Sequence, residues 1–206
     1  MSTTNSTPVA SYSLPPPVPV DVRPDARKVG MIAFFVSEAA FFSTLLMAYV
    51  IYMGHNLTGP TPAEVLSLPL AIVNTICLLA SSFTIHLAER SLRSGNAAAF
   101  QGLWGLTILL GSAFLAGTGY EWYGMIVDHH LTISGNLFGT TYYTLVGFHA
   151  AHVTVGVFLL VLMLGLHLRR KLAGPNSVAI ELVSCYCQFV DGVWVVVFTV
   201  VYLIGR

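Results

Sequence analysis

The stretch "MIAFFVSEAAFFSTLLMAYVIY" (Met31–Tyr52) is apolar and long enough to cross the hydrocarbon core of a bilayer, which takes about 20 residues. One carboxylic acid, Glu38, lies inside it. A charged side chain at the centre of a membrane helix costs at least about 2.5 kcal/mol on insertion scales. Glu38 is therefore a candidate functional residue.

The composition of the chain is that of a membrane protein. Of its 206 residues, 55% are hydrophobic and 9% are charged, against about 25% charged in soluble proteins. The formal net charge is zero, so no basic surface predicts binding to nucleic acid. Residues 1–28 are rich in proline and are expected to form a flexible cytoplasmic arm outside the bilayer, with docking to another subunit as an alternative.

Five apolar stretches are long enough to span the membrane, and the distribution of Lys and Arg orients them. Eight of the nine Lys and Arg residues precede the first stretch or lie in the second and fourth connections, and the ninth is Arg206. Because positive charge concentrates in cytoplasmic segments, the N-terminus is predicted to be cytoplasmic and the C-terminus outside. The predicted fold is all-α, a polytopic membrane protein in which residues 29–206 form one bundle of five transmembrane helices. The predicted spans are 30–53, 67–88, 101–122, 140–168 and 178–205.

Other polar residues are predicted to lie within the spans. Asp191 occurs about halfway along the fifth span, and Glu121 lies at the outer end of the third. Helical spacing predicts one shared face for four residues of the fifth span: Cys187, Gln188, Asp191 and Trp194. Lipid tails offer no hydrogen-bond partners, so that face is expected to meet protein or a lipid headgroup. Small residues of the third span are predicted to admit another helix closely: Gly111, Ser112, Ala113, Ala116, Gly117 and Gly119.

Two histidines of the fourth span, His149 and His152, are three residues apart and lie on one face. They cannot be the two axial ligands of one haem, because such ligands approach the iron from opposite sides; a haem would need another helix, for example through His86. The sequence has no Glu-x-x-His motif of a di-iron bundle and no further zinc ligands nearby. Hydrogen bonds to neighbouring helices are the expected role of both histidines, and no metal, cofactor or catalytic site is predicted in this chain.

Five segments together resemble subunit III of the haem–copper oxidases, the family of cytochrome c oxidase. They follow the order of the family motifs at nearly constant spacing, from about residue 28 to the end. The segments are SEAAFF (37–42), PLAIVNTICLLASSFTIHLAERSL (69–92), GYEWY (119–123), LTISGNLFGTTYYTLVGFHAAHVTVG (131–156) and YCQFVDGVWVVVFTVVY (186–202). Two departures stand out. The mitochondrial-type subunit has seven helices, two of which have no counterpart here, and its Trp-His pair is replaced by Cys187 and Gln188.

The resemblance implies a non-catalytic subunit of a respiratory terminal oxidase in the bacterial plasma membrane, which reduces oxygen to water and pumps protons. It implies that haem and copper reside in partner subunits and that this chain packs directly on subunit I. Subunit II and a small subunit that supplies the missing helices are the further partners expected. Bound phospholipid beside Glu38, and support of proton uptake and durability, are implied as well.

Two alternatives of other classes stay open at this point. One is an ion or small-solute carrier that uses Glu38, Glu121 and Asp191 as a relay. The other is a haem-b membrane anchor that uses His86 with His149 or His152.

Overall fold

The computed structural model describes residues 26–54, 65–128, 130–134, 136–169 and 178–205. Within these ranges the regular structure is entirely helical, and five helices are long and apolar enough to cross a membrane. The predicted fold class is thereby confirmed, whereas the orientation of the termini stays a prediction. The helices are α1 (Ala26–Tyr52), α2 (Leu68–Arg93), α3 (Ala97–Val127), α4 (Leu137–Leu168) and α5 (Val178–Phe198), and α5 continues as a π-helical segment, Thr199–Ile204. We call the end of the bundle at residues 130–134 the outer end, following the charge-based prediction.

Helices α3 and α4 begin earlier than the apolar stretches because polar capping residues lie outside those stretches. The Asn96 side chain accepts a hydrogen bond from the backbone N–H of Ala99 at 3.0 Å. In the same way, Asn136 accepts one from Gly139 at 2.7 Å. An asparagine at this position satisfies one of the N–H groups that a helix leaves unpaired at its start.

The four helices α2, α3, α4 and α5 form a closed ring of neighbours, and α1 lies outside it. The pair α2 and α3 makes the most extensive contact, while α1 packs chiefly on α4 and less extensively on α5. Because α1 begins at Ala26, it includes the last residues of the predicted arm; residues 1–25 of that arm lie outside the described residues. Among the described residues α1 thus contacts the ring mainly through α4, so a polar contact between these two helices matters for its position.

Large aromatic side chains fill the ring at two levels. Toward the inner end, Trp104 is fully buried and its Nε1 donates to the carbonyl oxygen of Leu160 at 2.9 Å. Nearer the middle, Trp194 is 2% exposed and lies edge-on to Phe114, with 4.8 Å between ring centroids. Close packing of this kind drives association between membrane helices, since lipid tails are as apolar as the side chains themselves.

Two glycines of α3 give a matched test of close helix packing. A Cβ added at Gly117 would lie 2.1 Å from Oδ1 of Asn74, a buried residue of α2, whereas one added at Gly119 would meet open space. We expect Gly117→Ala to destabilise the folded chain by about 1–3 kcal/mol, because Asn74 must move. We expect Gly119→Ala to be neutral or stabilising, as alanine favours helix. Thermal unfolding in detergent measures both, and equal losses would contradict the contact between α2 and α3.

Candidate functional site

The carboxylic acid of α1 meets a histidine of α4. Nε2 of His152 lies 3.1 Å from Oε2 of Glu38, and the two side chains are about one-fifth exposed, at 19% and 20%. Phe42 lies edge-on to the His152 ring at 5.1 Å between centroids. Glu38 thus has a hydrogen-bond partner within its own chain, and the pair joins α1 to the ring.

The other ring nitrogen of His152 determines how the pair shares its protons. Nδ1 lies 2.7 Å from the carbonyl oxygen of Phe148, which can only accept a hydrogen bond, so Nδ1 carries a proton. Nε2 then either accepts a hydrogen bond from the O–H of a neutral Glu38 or, as imidazolium, donates one to the Glu38 carboxylate. Both states have no net charge. An acid can therefore lie in an apolar stretch here without an isolated charge.

A wide groove of about 620 Å³ lies beside this pair, between α1, α4 and α5. Apart from Glu38 and His152, its walls are mainly apolar or aromatic: Met31, Phe34, Phe148, Ala151, Val155, Leu159, Leu182, Val183 and Tyr186. The Tyr186 hydroxyl donates to the backbone oxygen of His152 at 3.1 Å and so fixes the wall where α4 meets α5. The groove is therefore apolar except at the pair of Glu38 and His152.

Asp191 and Trp194 lie inside the ring and bind α2 rather than a surface partner. The Ser82 hydroxyl donates to Oδ2 of Asp191, which is 6% exposed. Nε1 of Trp194 donates to Oγ1 of Thr75 at 3.0 Å. Both contacts join α5 to α2 within the chain. The polar groups of this face therefore form hydrogen bonds between helices.

Gln188 lies at the edge of the face predicted for Asp191, so its contact with a partner stays a prediction. Gln188 is exposed on α5, whereas Asp191 and Trp194 are buried and Cys187 is half-buried. Positions three apart on an α-helix differ by about 60° around the axis, which is enough to turn one side chain inward and the other outward at the edge of a buried face. Gln188 thus belongs to the outer surface of the bundle.

His149 is fully enclosed by aromatic rings. It has no exposed surface, and neither of its ring nitrogens has a hydrogen-bond partner. Its ring stacks on Trp194 with 4.8 Å between centroids and lies edge-on to Phe114 at 5.8 Å. The expected hydrogen bond to a neighbouring helix is therefore found for His152 but not for His149, and His86 is exposed on α2. This arrangement gives no support to a haem between His149 and His86.

Glu121 belongs to a third polar cluster, at the outer end. The Tyr202 hydroxyl donates to Oε2 of Glu121 at 2.7 Å and lies 3.1 Å from the hydroxyl of Tyr142. Tyr202 is part of the π-helical segment, and π-helical turns occur often at functional sites. Glu121 itself is 7% exposed. This cluster joins α3, α4 and the end of α5.

The three acids of the proposed relay thus lie in separate clusters. Glu38 binds His152, Asp191 binds Ser82 and Glu121 binds Tyr202, each on a different pair of elements. In the part of the chain that the structure describes, no three His, Cys, Asp or Glu side chains converge as a metal site would require. The geometry favours neither a carrier relay nor a metal centre.

Comparison with known proteins decides between the remaining possibilities. Residues 22–206, which include all five helices, match the family model described as cytochrome c oxidase subunit III. The chain belongs to the cytochrome c oxidase subunit III family. It is therefore one subunit of a multi-subunit oxidoreductase and a multi-pass membrane protein.

Individual members of the family are similar over most of their length. The cytochrome c oxidase subunit 3 of Synechocystis sp. is 37% identical over 188 residues, which cover 88% of this chain and 77% of the relative. That of Alkalihalophilus pseudofirmus is 33% identical over 177 residues, 86% of each chain. The cytochrome bo(3) ubiquinol oxidase subunit 3 of Pseudomonas aeruginosa is 31% identical, over 85% of this chain and 84% of the relative.

Several residues of this subunit III that complete the polar clusters were missed from the sequence. Ser82 and Thr75 of α2 and Tyr142 and Tyr202 at the outer end each bond a predicted site residue or its partner. Serine, threonine and tyrosine are common in membrane helices, so their presence gave no signal. A signal would have come from pairing each buried acid or indole with a hydroxyl at the same depth on a neighbouring helix.

Proposed function

We propose that this subunit III works without a redox centre of its own, in a respiratory haem–copper oxidase of the bacterial plasma membrane. Haem and copper in the partner subunits reduce oxygen to water and pump protons. This chain packs on subunit I, with subunit II and a small subunit that replaces the two missing helices as its other partners. Family membership supports this role, and so does the use of the polar side chains inside the bundle for contacts between helices.

The observation that carries the proposal further is the groove beside Glu38 and His152. Its apolar walls fit the acyl chain of a phospholipid, and its volume of about 620 Å³ leaves room for a long segment of one. Because α1 packs chiefly on α4, the hydrogen bond between Glu38 and His152 holds one wall of the groove at a fixed distance from the other. Glu38 therefore braces a lipid site. A stable lipid layer on this side would in turn support proton uptake and durability of the complex.

Substitution of Glu38 separates bracing from a role in proton transfer. Glu38→Gln keeps a hydrogen-bonding group that can donate to Nε2 of His152 but cannot ionise, so we expect wild-type phospholipid content and stability. Glu38→Ala removes the bond, and we expect loss of groove lipid and of about 1–3 kcal/mol of stability, since a partly buried imidazole loses its partner. Phosphorus analysis of the purified complex and its thermal unfolding measure the two effects.

Glu181→Ala is the matched control, because Glu181 is exposed on α5 and does not line the groove. It should leave both the lipid content and the unfolding temperature unchanged. A Glu38→Gln complex that reduces oxygen normally but pumps protons poorly would contradict bracing. An unchanged lipid content in Glu38→Ala would contradict the lipid site.

A further inference from the structure

One side of α3 carries small residues that none of the described helices covers. Of the small residues predicted to admit a helix, Gly111 packs against Val157 of α4 and Gly117 against Asn74 of α2. An added Cβ at Gly119 would meet nothing within 4 Å. In a membrane, exposed small residues let a neighbouring helix approach closely. The exposed residues, which we call the α3 surface, are Ser112, Ala113, Ala116 and Gly119.

A cavity opens at the outer end of α3, next to the residues that lead into α2. Its volume is about 230 Å³, and its lining includes the carboxyl groups of Glu121 and Asp128. Glu121 is 7% exposed, and among the described residues its Oε1 has no partner at full hydrogen-bond geometry, although the backbone of Ser67 and the Tyr142 hydroxyl lie close to the carboxyl group. A buried acid oxygen without a donor is costly unless another molecule supplies one. The cavity therefore presents two acids, one of them incompletely bonded.

The segments beside the cavity contain three histidines, His55, His129 and His130, but no permanently charged cation. Positions 54–67 and 123–139, which flank the cavity in sequence, contain no Lys or Arg. Arg206 is the one Lys or Arg that the sequence places toward the outer end, and it lies outside the described residues. A cation for the cavity is thus expected to come from a neighbouring molecule, with Arg206 as the alternative to be tested.

The other residues of the cavity indicate what kind of cation fits. Val65, Leu70 and Met125 form apolar walls, which suit the methylene stem of a long side chain. The rings of Tyr120 and Tyr123, which are 72% and 66% exposed, also line the cavity. Aromatic faces attract ammonium and guanidinium groups. A Lys or Arg side chain combines both parts, an apolar stem and a cationic tip.

Two other occupants fit less well. A divalent cation such as Ca²⁺ needs six or more oxygen ligands, and much of the lining is apolar. The ammonium group of a phospholipid carries a phosphate two carbons away, and this phosphate would be held near the Asp128 carboxylate, where like charges repel. The lining favours a cationic side chain of another protein.

We propose that a transmembrane helix of a neighbouring subunit packs on the α3 surface and places a Lys or Arg side chain in the cavity between Glu121 and Asp128. Tyr120 and Tyr123 connect the α3 surface with the cavity, since they come after the α3 surface in sequence and line the cavity. The proposal rests on the place of this chain in an oxidase complex. It would also give the chain a contact with a neighbouring protein, whereas Asp191 binds Ser82 of this chain.

The release of the chain from the purified complex in high salt and detergent tests the proposal. We expect Glu121→Gln to speed release on the order of tenfold, because it removes one side of a largely buried charge pair. Asp128→Asn, at an exposed acid, should speed release by a smaller factor. Glu181→Gln, at an exposed acid of α5, is the matched control and should not change the rate. Asp128 lies outside the tyrosine cluster, so its substitution keeps the test valid if Glu121→Gln fails to fold. Unchanged release in both acid variants would overturn the proposal.

A glycine pair tests the α3 surface itself. Gly119→Leu should block close approach of the partner helix and speed release, whereas Gly192→Leu, at an exposed glycine of α5 that also has open space, should not. Equal effects of the two substitutions would contradict a contact at the α3 surface. Arg206→Gln completes the set. If it speeds release as much as Glu121→Gln does, the cation belongs to this chain and the proposal is wrong.

Photo-crosslinking identifies the occupant. Benzoylphenylalanine at position 123 should capture a transmembrane chain that has Lys or Arg at its outer end, and mass spectrometry reads the captured segment. Crosslinks to lipid alone would overturn the proposal. A chain that copurifies with no other oxidase subunit would instead contradict the proposed function, so the two failures are distinguishable.

Discussion

An oxidase complex prepared without this chain should reduce oxygen near the intact rate in its first turnovers and then lose activity progressively. The redox centres are proposed to lie in other subunits, so the chemical step stays available at first. If the chain packs on subunit I as proposed, its removal exposes a face of that subunit, and burial is what tunes the pKa of proton-carrying groups beside such a face. We expect the lifetime under turnover to fall on the order of tenfold, which corresponds to about 1.4 kcal/mol of activation free energy.

Continuous oxygen consumption over many turnovers, with proton release recorded alongside, measures this effect. The control is the same preparation after the purified chain and phospholipid are added back, which should restore the lifetime. Phospholipid alone should restore little, because the groove proposed to hold it belongs to this chain. A complex that never turns over without the chain would contradict the non-catalytic role. A lifetime equal to that of the intact complex would contradict the proposed support of durability.

The number and type of the helices could be predicted from the sequence because length and hydropathy alone determine them. Each of the five apolar stretches corresponds to a helix. Their ends could not be predicted, since Asn96 and Asn136 extend α3 and α4 beyond the apolar residues. Hydropathy reports where a chain contacts lipid, and a helix continues for as long as its backbone finds partners.

The pairing of the candidate residues could not be predicted, for a different reason. Glu38 and His152 were each singled out, but they are 114 positions apart, and their contact depends on how α1 lies across α4. A single sequence does not reveal how two helices cross. Within this chain the predicted face of α5 is buried at Asp191 and Trp194 and exposed at Gln188, because spacing gives an angle and the neighbouring helices decide where a buried face ends.

Asp191 shows how a polar side chain inside a membrane helix can serve the fold of the chain. It faces Ser82 of α2, and Trp194, one turn further along, faces Thr75 of the same helix. These two hydrogen bonds join α5 to α2. Substitutions at this face would therefore reduce assembly of the complex only indirectly, through the fold of the chain.

Trp194→Ala should be among the most destabilising single substitutions in this chain. The indole is 2% exposed and contacts three other helices: it donates to Thr75 of α2, lies edge-on to Phe114 of α3 and stacks on His149 of α4. Truncation of a buried tryptophan to alanine costs about 3–5 kcal/mol, because the ring leaves a cavity that the bundle cannot fill. We expect low yields of the chain and a large drop in its thermal unfolding temperature.

Two further variants separate the hydrogen bond of Trp194 from its packing. Trp194→Phe keeps an aromatic ring and loses the bond to Thr75, so we expect an intermediate loss. Trp122→Ala removes an indole that is half-buried and whose Nε1 has no acceptor, and we expect the smaller effect of a side chain at the edge of the core. Equal losses for Trp194→Ala and Trp122→Ala would show that Trp194 does not hold the ring together. The order of these expected losses follows from position. Trp194 contacts every other helix of the four-helix ring, so no movement of a single helix can fill the space that its loss leaves.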